Sequence, residues 1–422
     1  MARLSQFPIH GFVRRCFALR PAFAVGVLLT GSAFAAHGQT FSVLHLFTGG
    51  GDGGQPKAGV IADPAGNLYG TTFQGGNSSQ GVVYKYNPQK QVLTPLFWFN
   101  GAGGANPDAP VLRDPASGVL YGTAEHGGTM NYGVAYELSP GPSRPVSVIS
   151  PWLEPKVYSF GSGADGRTPV SGLIEDSAGN LYGTTNAGGN DISQVGTVFE
   201  LSPAGNGWAE TILYSFNKSN DVGCYPDAPV VFDSAGNLFG TANLCGGEGK
   251  AGTVYELVHS GSSWMAKQLH AFDCATEGCL PTAGLVFDPA GNLYGATTTG
   301  GPNGGGTVFE LSPSNGGWTF HVLWSFSETG GAAGPASTLA LDAEGNLYGA
   351  TQGWIDGNDP GHVFKLVYSN GSWTEQILHQ FSGGPDGSTP LGSVLLDKAG
   401  NIFGTAELGG ESQLGTLWEI TP

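Results

Sequence analysis

Positive charge is scarce in this chain: 16 Lys and Arg stand against 33 Asp and Glu over 422 residues, a formal net charge of −17. So acidic a surface repels nucleic acid and anionic lipid headgroups, and no nucleic-acid partner is expected. Amphipathic helical spacing is missing too. Beyond residue 40 no run keeps apolar residues at helical intervals for three turns before a Gly or Pro intervenes, which excludes a helical architecture. Cysteine is sparse, and Cys16, Cys224, Cys245, Cys274 and Cys279 never form a CxxC pair, which argues against structural zinc. Neither GxSxG nor HExxH occurs, and the GxGxxG matches at 49–54 and 161–166 lead into Pro-led strands rather than helices. With the common nucleophile, metalloprotease and dinucleotide signatures gone, no catalytic residue is assigned.

Long apolar runs are few, and the only one that matters comes first. Arg3, Arg14, Arg15 and Arg20 precede AFAVGVLLTGSAFAA at 22–36, the pattern of an export signal cut near Ala35 or Gln39. Residues 1–39 are therefore read as a signal peptide and 40–422 as one domain. The exported chain is expected to lack a membrane span and to be secreted, periplasmic or held at the cell surface. Removing the leader takes four Arg and no acid, so the mature chain is more acidic still.

What is abundant is glycine, 72 residues, with 27 prolines and a sentence repeated seven times, most fully DPAGNLYGTT at 63–72. Its Asp recurs as Asp63, Asp114, Asp176, Asp233, Asp288, Asp342 and Asp397, at steps of 51 to 62 residues, a period typical of repeat architectures. Each unit carries four short strand signals rich in β-branched and aromatic residues, such as SGLIED, NLYGTT, GTVFELS and WAETILYSF in the third. The Asp-x-x-Gly-Asn stretch between the first two reads as a tight turn in which the carboxylate caps backbone NH groups.

The ends decide between an open stack and a ring. The mature chain opens on a lone fourth-type strand, FSVLHLF at 41–47, and closes on a third-type strand, GTLWEIT at 415–421. Joining them completes seven sets of four. The expected fold is all-β: a seven-bladed β-propeller of four-stranded antiparallel blades whose last blade is closed by the N-terminal strand, leaving no long exposed edge. A monomer is expected.

The string D-x-A-G-N-L-Y-G-T-T, then G-G, then G-T-V-F-E-L-S-P, resembles the GloVer tandem-repeat family of bacterial exported proteins across nearly the whole mature chain. That resemblance implies an exported propeller-type repeat protein. The DxxGNLY core is also similar to repeats in sensor-protein and lactonase-like propellers.

In a propeller the second-to-third and fourth-to-next-first loops share one face, so candidate chemistry is sought there. Two loops break the repeat. AEHGGTMNYG offers Glu125, His126 and Tyr132, and GWIDGNDPGH offers Trp354, Asp356 and Asp359; aromatic faces beside acids are what a carbohydrate-binding groove uses. Asp52, Asp165 and Asp386 occupy matching loop positions and are the candidate cation ligands, with calcium the possible cofactor; Asp356-Gly-Asn358-Asp359 is a weaker calcium candidate. Cys224 with Cys245 and Cys274 with Cys279 is the preferred disulfide pairing, since each pair falls in adjacent loops or one loop. His45, His270 and His379 alternate with large aromatics at one strand position and are read as packing. The functional expectation is an exported, non-enzymatic propeller that binds a carbohydrate or protein ligand on its loop face. The alternative is a periplasmic propeller enzyme of lactonase, lyase or glycan-cleaving type with a channel metal.

Overall fold

The computed structural model describes residues 39–141, 152, 156–219, 222–247, 249–261, 263–327, 334–353 and 359–422, and residues 39–422 form one compact unit. None of the described residues is helical, and no helix among them is long and apolar enough to cross a membrane. Seven four-stranded antiparallel sheets follow one another as blades. In blade 1 the strands run Ile61–Ala62, Leu68–Thr72, Val82–Asn87 and Val92–Trp98, from the axis outward. Blade 7 takes Leu395–Leu396, Ile402–Ala406 and Thr416–Thr421 from the end of the chain and Thr40–Leu46 from its start. Thr40 lies opposite Thr421 and Leu46 opposite Thr416, so the ring closes as the two ends predict. The first strand of each blade is shorter than its sequence signal, only two paired residues in every case, because most of the segment lines the axis instead of pairing.

The repeated glycine of LYG has a packing cause. Gly70, Gly183 and Gly404 lie opposite Tyr84, Phe199 and Trp418 on the third strands, and those rings lie flat over the missing side chains. A Cβ on Gly404 would stand 2.3 Å from Trp418, closer than any real contact. The ring so accommodated then meets the next seam. The Phe ending each fourth strand, fully or almost fully buried, packs against the third-strand aromatic of the following blade: Phe47 on Tyr84 at 5.3 Å, Phe216 on Tyr255 at 5.2 Å, Phe381 on Trp418 at 5.9 Å. The core is thus a belt of edge-to-face or tilted aromatic pairs, one between each blade and the next.

The seven turns hold as the sequence predicts. Asp288 Oδ1 accepts from the amides of Ala290 at 2.8 Å and Asn292 at 2.9 Å, while Oδ2 accepts from Asn292 Nδ2 at 2.8 Å and the Tyr294 hydroxyl at 3.2 Å. Asp63, Asp176 and Asp342 repeat all four contacts. The Tyr of the motif is therefore part of the turn as well as of the core. The Pro-rich connection at 139–155 lies largely outside the described residues.

Candidate functional site

Each blade places two residues around the axis on the loop face. The first stands ahead of the inner strand: Lys57, Asp108, Val170, Asp227, Thr282, Ala336 and Leu391. The second follows the second strand, as Glu125, Asn186, Thr298 and Gln352 do. Backbone alone positions both. Ahead of the Pro of the fourth-to-first loop in six blades stands a residue in the left-handed region, such as Asn106 at φ 57° and Tyr225 at φ 58°. The Asn106 amide donates to Gln80 O of blade 1 at 2.8 Å, and its carbonyl accepts from the Glu125 amide at 3.2 Å. Tyr225 does the same between Val195 and Asn243. One corner therefore ties the preceding blade to both axial residues of its own.

Together these residues enclose a cavity of about 510 Å³ at the channel mouth, within the range of small-ligand pockets. Its polar wall carries Lys57, Asp108, Glu125, Asn186, Asp227, Gln352 and three threonines; Val170, Ala336 and Leu391 form an apolar sector. Lys57 Nζ lies 3.7 Å from Asp108 Oδ1 and 3.7 Å over the Phe73 ring. Burial pushes the Asp108 carboxyl up to about 6, against the pull of Lys57 and with the help of Glu125 and Glu407. Although 26% of the Asp108 side chain touches solvent, that solvent is confined to the channel, and desolvation still wins. Asp227 is held differently: Asn186 Nδ2 donates to Oδ1 and Asn243 Nδ2 to Oδ2 at 2.9 Å. Burial raises the Asp227 carboxyl in spite of these two amides, and raises Glu407 in spite of Lys57.

Of the described residues singled out from sequence, Glu125 lines this cavity and the others do not. His126 pairs its backbone with Ala105, and its half-exposed ring lies 3.7 Å from Glu125. Tyr132 lies 5.3 Å beneath the Arg167 guanidinium. Asp359 is buried and accepts from the Gly361 amide at 2.9 Å and Gln380 Nε2 at 3.1 Å. Trp354 and Asp356 lie outside the described residues. Asp52 and Asp386 each cap their own loop and bond a histidine, His45 at 3.0 Å and His379 at 3.1 Å. Asp165 meets Tyr158 at 3.3 Å. Among the described residues no three His, Cys, Asp or Glu side chains cluster as metal ligands would. Cys224 is bonded to Cys245 and Cys274 to Cys279, each bridge stapling loops on this face.

Lys57, Asp108, Asn186, Asp227 and Gln352 escaped the sequence reading. A signal existed: PDAPV occurs at 107–111 and again at 226–230, placing an acid where other units carry Lys, Val, Thr, Ala or Leu. It was hidden because the axial position falls one residue ahead of the first strand signal, in the connecting loop.

Fold and site define a seven-bladed β-propeller built from tandem repeats. The chain belongs to the Gloeobacter/Verrucomicrobia repeat family, which it matches over residues 28–152, 153–353 and 246–422. No curated protein matches it significantly. Among solved structures it is similar to a Bacteroides uniformis protein provisionally assigned as a 6-phosphogluconolactonase, with 15% identity over 81% of this chain and 88% of that one and a TM-score of 0.50. It is also similar to a gluconolactonase of Xanthomonas campestris, with 12% identity, 91% and 89% coverage and a TM-score of 0.42. A third similarity is to PorZ, a surface component of the type-IX secretion system of Porphyromonas gingivalis, with 14% identity, 85% and 46% coverage and a TM-score of 0.48. At such identities the likeness concerns the fold alone.

Proposed function

We propose that this is an exported, non-enzymatic propeller that binds a carbohydrate at the loop-face mouth of its axial channel. The observation that carries the reading is the make-up of the 510 Å³ cavity: donors from Lys57, Asn186 and Gln352, acceptors from Asp108, Glu125 and Asp227, and one apolar sector. A polyol needs that mixture, since its hydroxyls both give and take hydrogen bonds while its CH faces prefer apolar wall. Export rests on the Arg-led apolar leader and on two disulfides, which persist in oxidising compartments. Glycan-array binding of the mature protein tests the reading, with Asp227→Ala and Gln352→Ala expected to weaken any hit at least tenfold. A blank array, or full binding by both variants, overturns it. Binding that survives them but is lost on changing Glu125, His126 or Tyr132 would move the ligand to the blade 2 loop.

A second reading is favoured by Asp108. A carboxyl raised to about 6 beside a lysine in a cavity is suited to proton transfer near neutral pH, as a lactone- or glycan-cleaving enzyme requires. On this reading Asp108→Asn is expected to abolish turnover and leave ligand affinity nearly intact. Loss of binding without any turnover in the parent protein excludes it.

A further inference from the structure

Away from the channel, the seam between blades 2 and 3 holds two carboxyl groups and one proton too few. Asp165 lies in the loop joining the blades, and Glu210, on the fourth strand of blade 3 (Gly207–Ser215), is within hydrogen-bonding reach of it. Tyr158, on the fourth strand of blade 2 (Lys156–Ser159), stands 3.0 Å from Glu210 Oε2 and 3.3 Å from Asp165 Oδ2. Its single phenolic proton can serve only one of them at a time. Asp165 Oδ2 also accepts from the Gly161 amide. The other two oxygens, Asp165 Oδ1 and Glu210 Oε1, are closed off from solvent and bonded to nothing. Among the described residues no Lys, Arg or His forms an ion pair with either carboxyl, and the titratable groups acting on Glu210 are Asp165 and Tyr158.

Two other seams solve the same problem without a second acid. Glu277 bonds His270 at 2.9 Å, and Phe320 of the next blade stacks on that His at 3.9 Å. Asp386 bonds His379 at 3.1 Å, and Phe41 stacks on it at 3.6 Å. Glu210 stands where those blades carry Phe320 and Phe41, and Tyr158 where they carry histidine. Packing therefore does not require an acid here. Two half-buried carboxylates at hydrogen-bond range repel one another, which favours holding a proton on one of them.

We propose that Asp165 and Glu210 share one proton, and that this acid pair is a pH-sensitive latch holding blade 2, blade 3 and the loop between them together until alkaline solution removes it. Burial first, then the hydrogen bond and charge of Asp165, hold the Glu210 carboxyl well above the ordinary carboxylate range. The loop that the pair secures continues through Gly166–Arg167, paired with Ala187–Gly188, to Thr168 on the channel wall. Release of the latch therefore reaches the channel mouth. The folded chain keeps a proton that the unfolded chain gives up near pH 4, so stability falls as pH rises through the interval between the two values and levels off above it.

The full exported chain labelled with ¹³C at its glutamate carboxyls provides a test that needs no variant. One glutamate is expected to titrate far above the rest, and its signal is expected to vanish in Glu210→Gln. The amide of Gly161 should exchange with deuterium faster as that group ionises. Glu210→Gln supplies an NH₂ donor in place of the shared proton, and Glu210→Phe copies the seams at Phe320 and Phe41. Both are expected to flatten the fall in melting temperature between mildly acidic and mildly alkaline buffer. Ordinary titration of every glutamate overturns the proposal, as does a pH slope that survives both substitutions.

Discussion

At the scale of single residues, the turn aspartates do more than reverse the chain. Burial pushes the carboxyls of Asp63, Asp176, Asp288 and Asp342 up, but the amide, Asn and Tyr donors around each outweigh it, and the net direction is down. A depressed acid stabilises the fold above its unfolded value near pH 4 and loses that contribution as pH falls through the folded one. Acid should therefore unfold this protein turn by turn in energetic terms. Asp288→Ala removes acceptors from four donors and is expected to cost about 1–3 kcal/mol in urea unfolding at neutral pH. In Asp288→Asn the acid limb of stability should become shallower, and an unchanged limb would mean that the turns do not carry it. Gly81 shows the opposite constraint, set by a neighbouring blade. At φ 102° a Cβ would stand 2.5 Å from Thr72 O and 2.6 Å from Pro107 Cδ. Gly81→Ala is expected to destabilise by more than 2 kcal/mol, through strain and a clash with the next corner.

At the scale of strands, one hydroxyl stitches neighbouring blades near the axis. Thr71 donates to Ala109 O at 3.0 Å, Thr123 to Ser171 O at 2.8 Å, Thr184 to Ala228 O at 3.0 Å, Thr241 to Ala283 O at 3.0 Å and Thr405 to Ala58 O at 2.8 Å. The last of these spans the closing seam. In blades 5 and 6 the same place is held by Ala296 and Ala350, both fully buried, and the stitch is missing. The seams flanking blade 6 are thus joined by aromatic packing without the inner bond. Restoring it by Ala350→Thr should raise stability by about 1 kcal/mol, read as a higher urea midpoint at unchanged slope. A lower midpoint would show that the extra atoms do not fit beside Phe381 and Val394.

At the scale of the molecule, closure is the decisive event. Thr40–Leu46 pairs with Thr416–Thr421, and Phe47 then meets Tyr84 of blade 1. Contacts between residues so distant in sequence are made at high loop-closure cost and only once the ring is nearly built. Deleting residues 40–46 leaves Thr416–Thr421 as an unpaired edge. The expected outcome is a lower, broader thermal transition with self-association visible by light scattering, relieved by adding a peptide of sequence TFSVLHLF. A deletion variant as stable and monodisperse as the parent would show that the ring does not depend on its velcro strand. The axial cavity exists only in the closed ring, so the same variant should lose whatever ligand the channel holds.

Strand order, blade number, the closing partner and the turns were legible in the sequence, because each follows from spacing: a repeated Asp-to-Tyr turn, Gly opposite an aromatic, and two chain ends that each lack what the other has. The pairing of Cys224 with Cys245 and Cys274 with Cys279 follows from the same loop bookkeeping. The channel mouth was not legible. Asp108, Asp227 and Lys57 stand one residue ahead of the inner strand signals, and no periodicity tells which residue of a loop faces the axis. Nor could spacing reveal that Glu210 meets Asp165, since they belong to different blades and come together only when outer strands pack side by side. Local pattern determined the fold because backbone pairing repeats with the sequence; the site was decided by tertiary structure because it is assembled from one or two residues of every blade, each distant from the next along the chain.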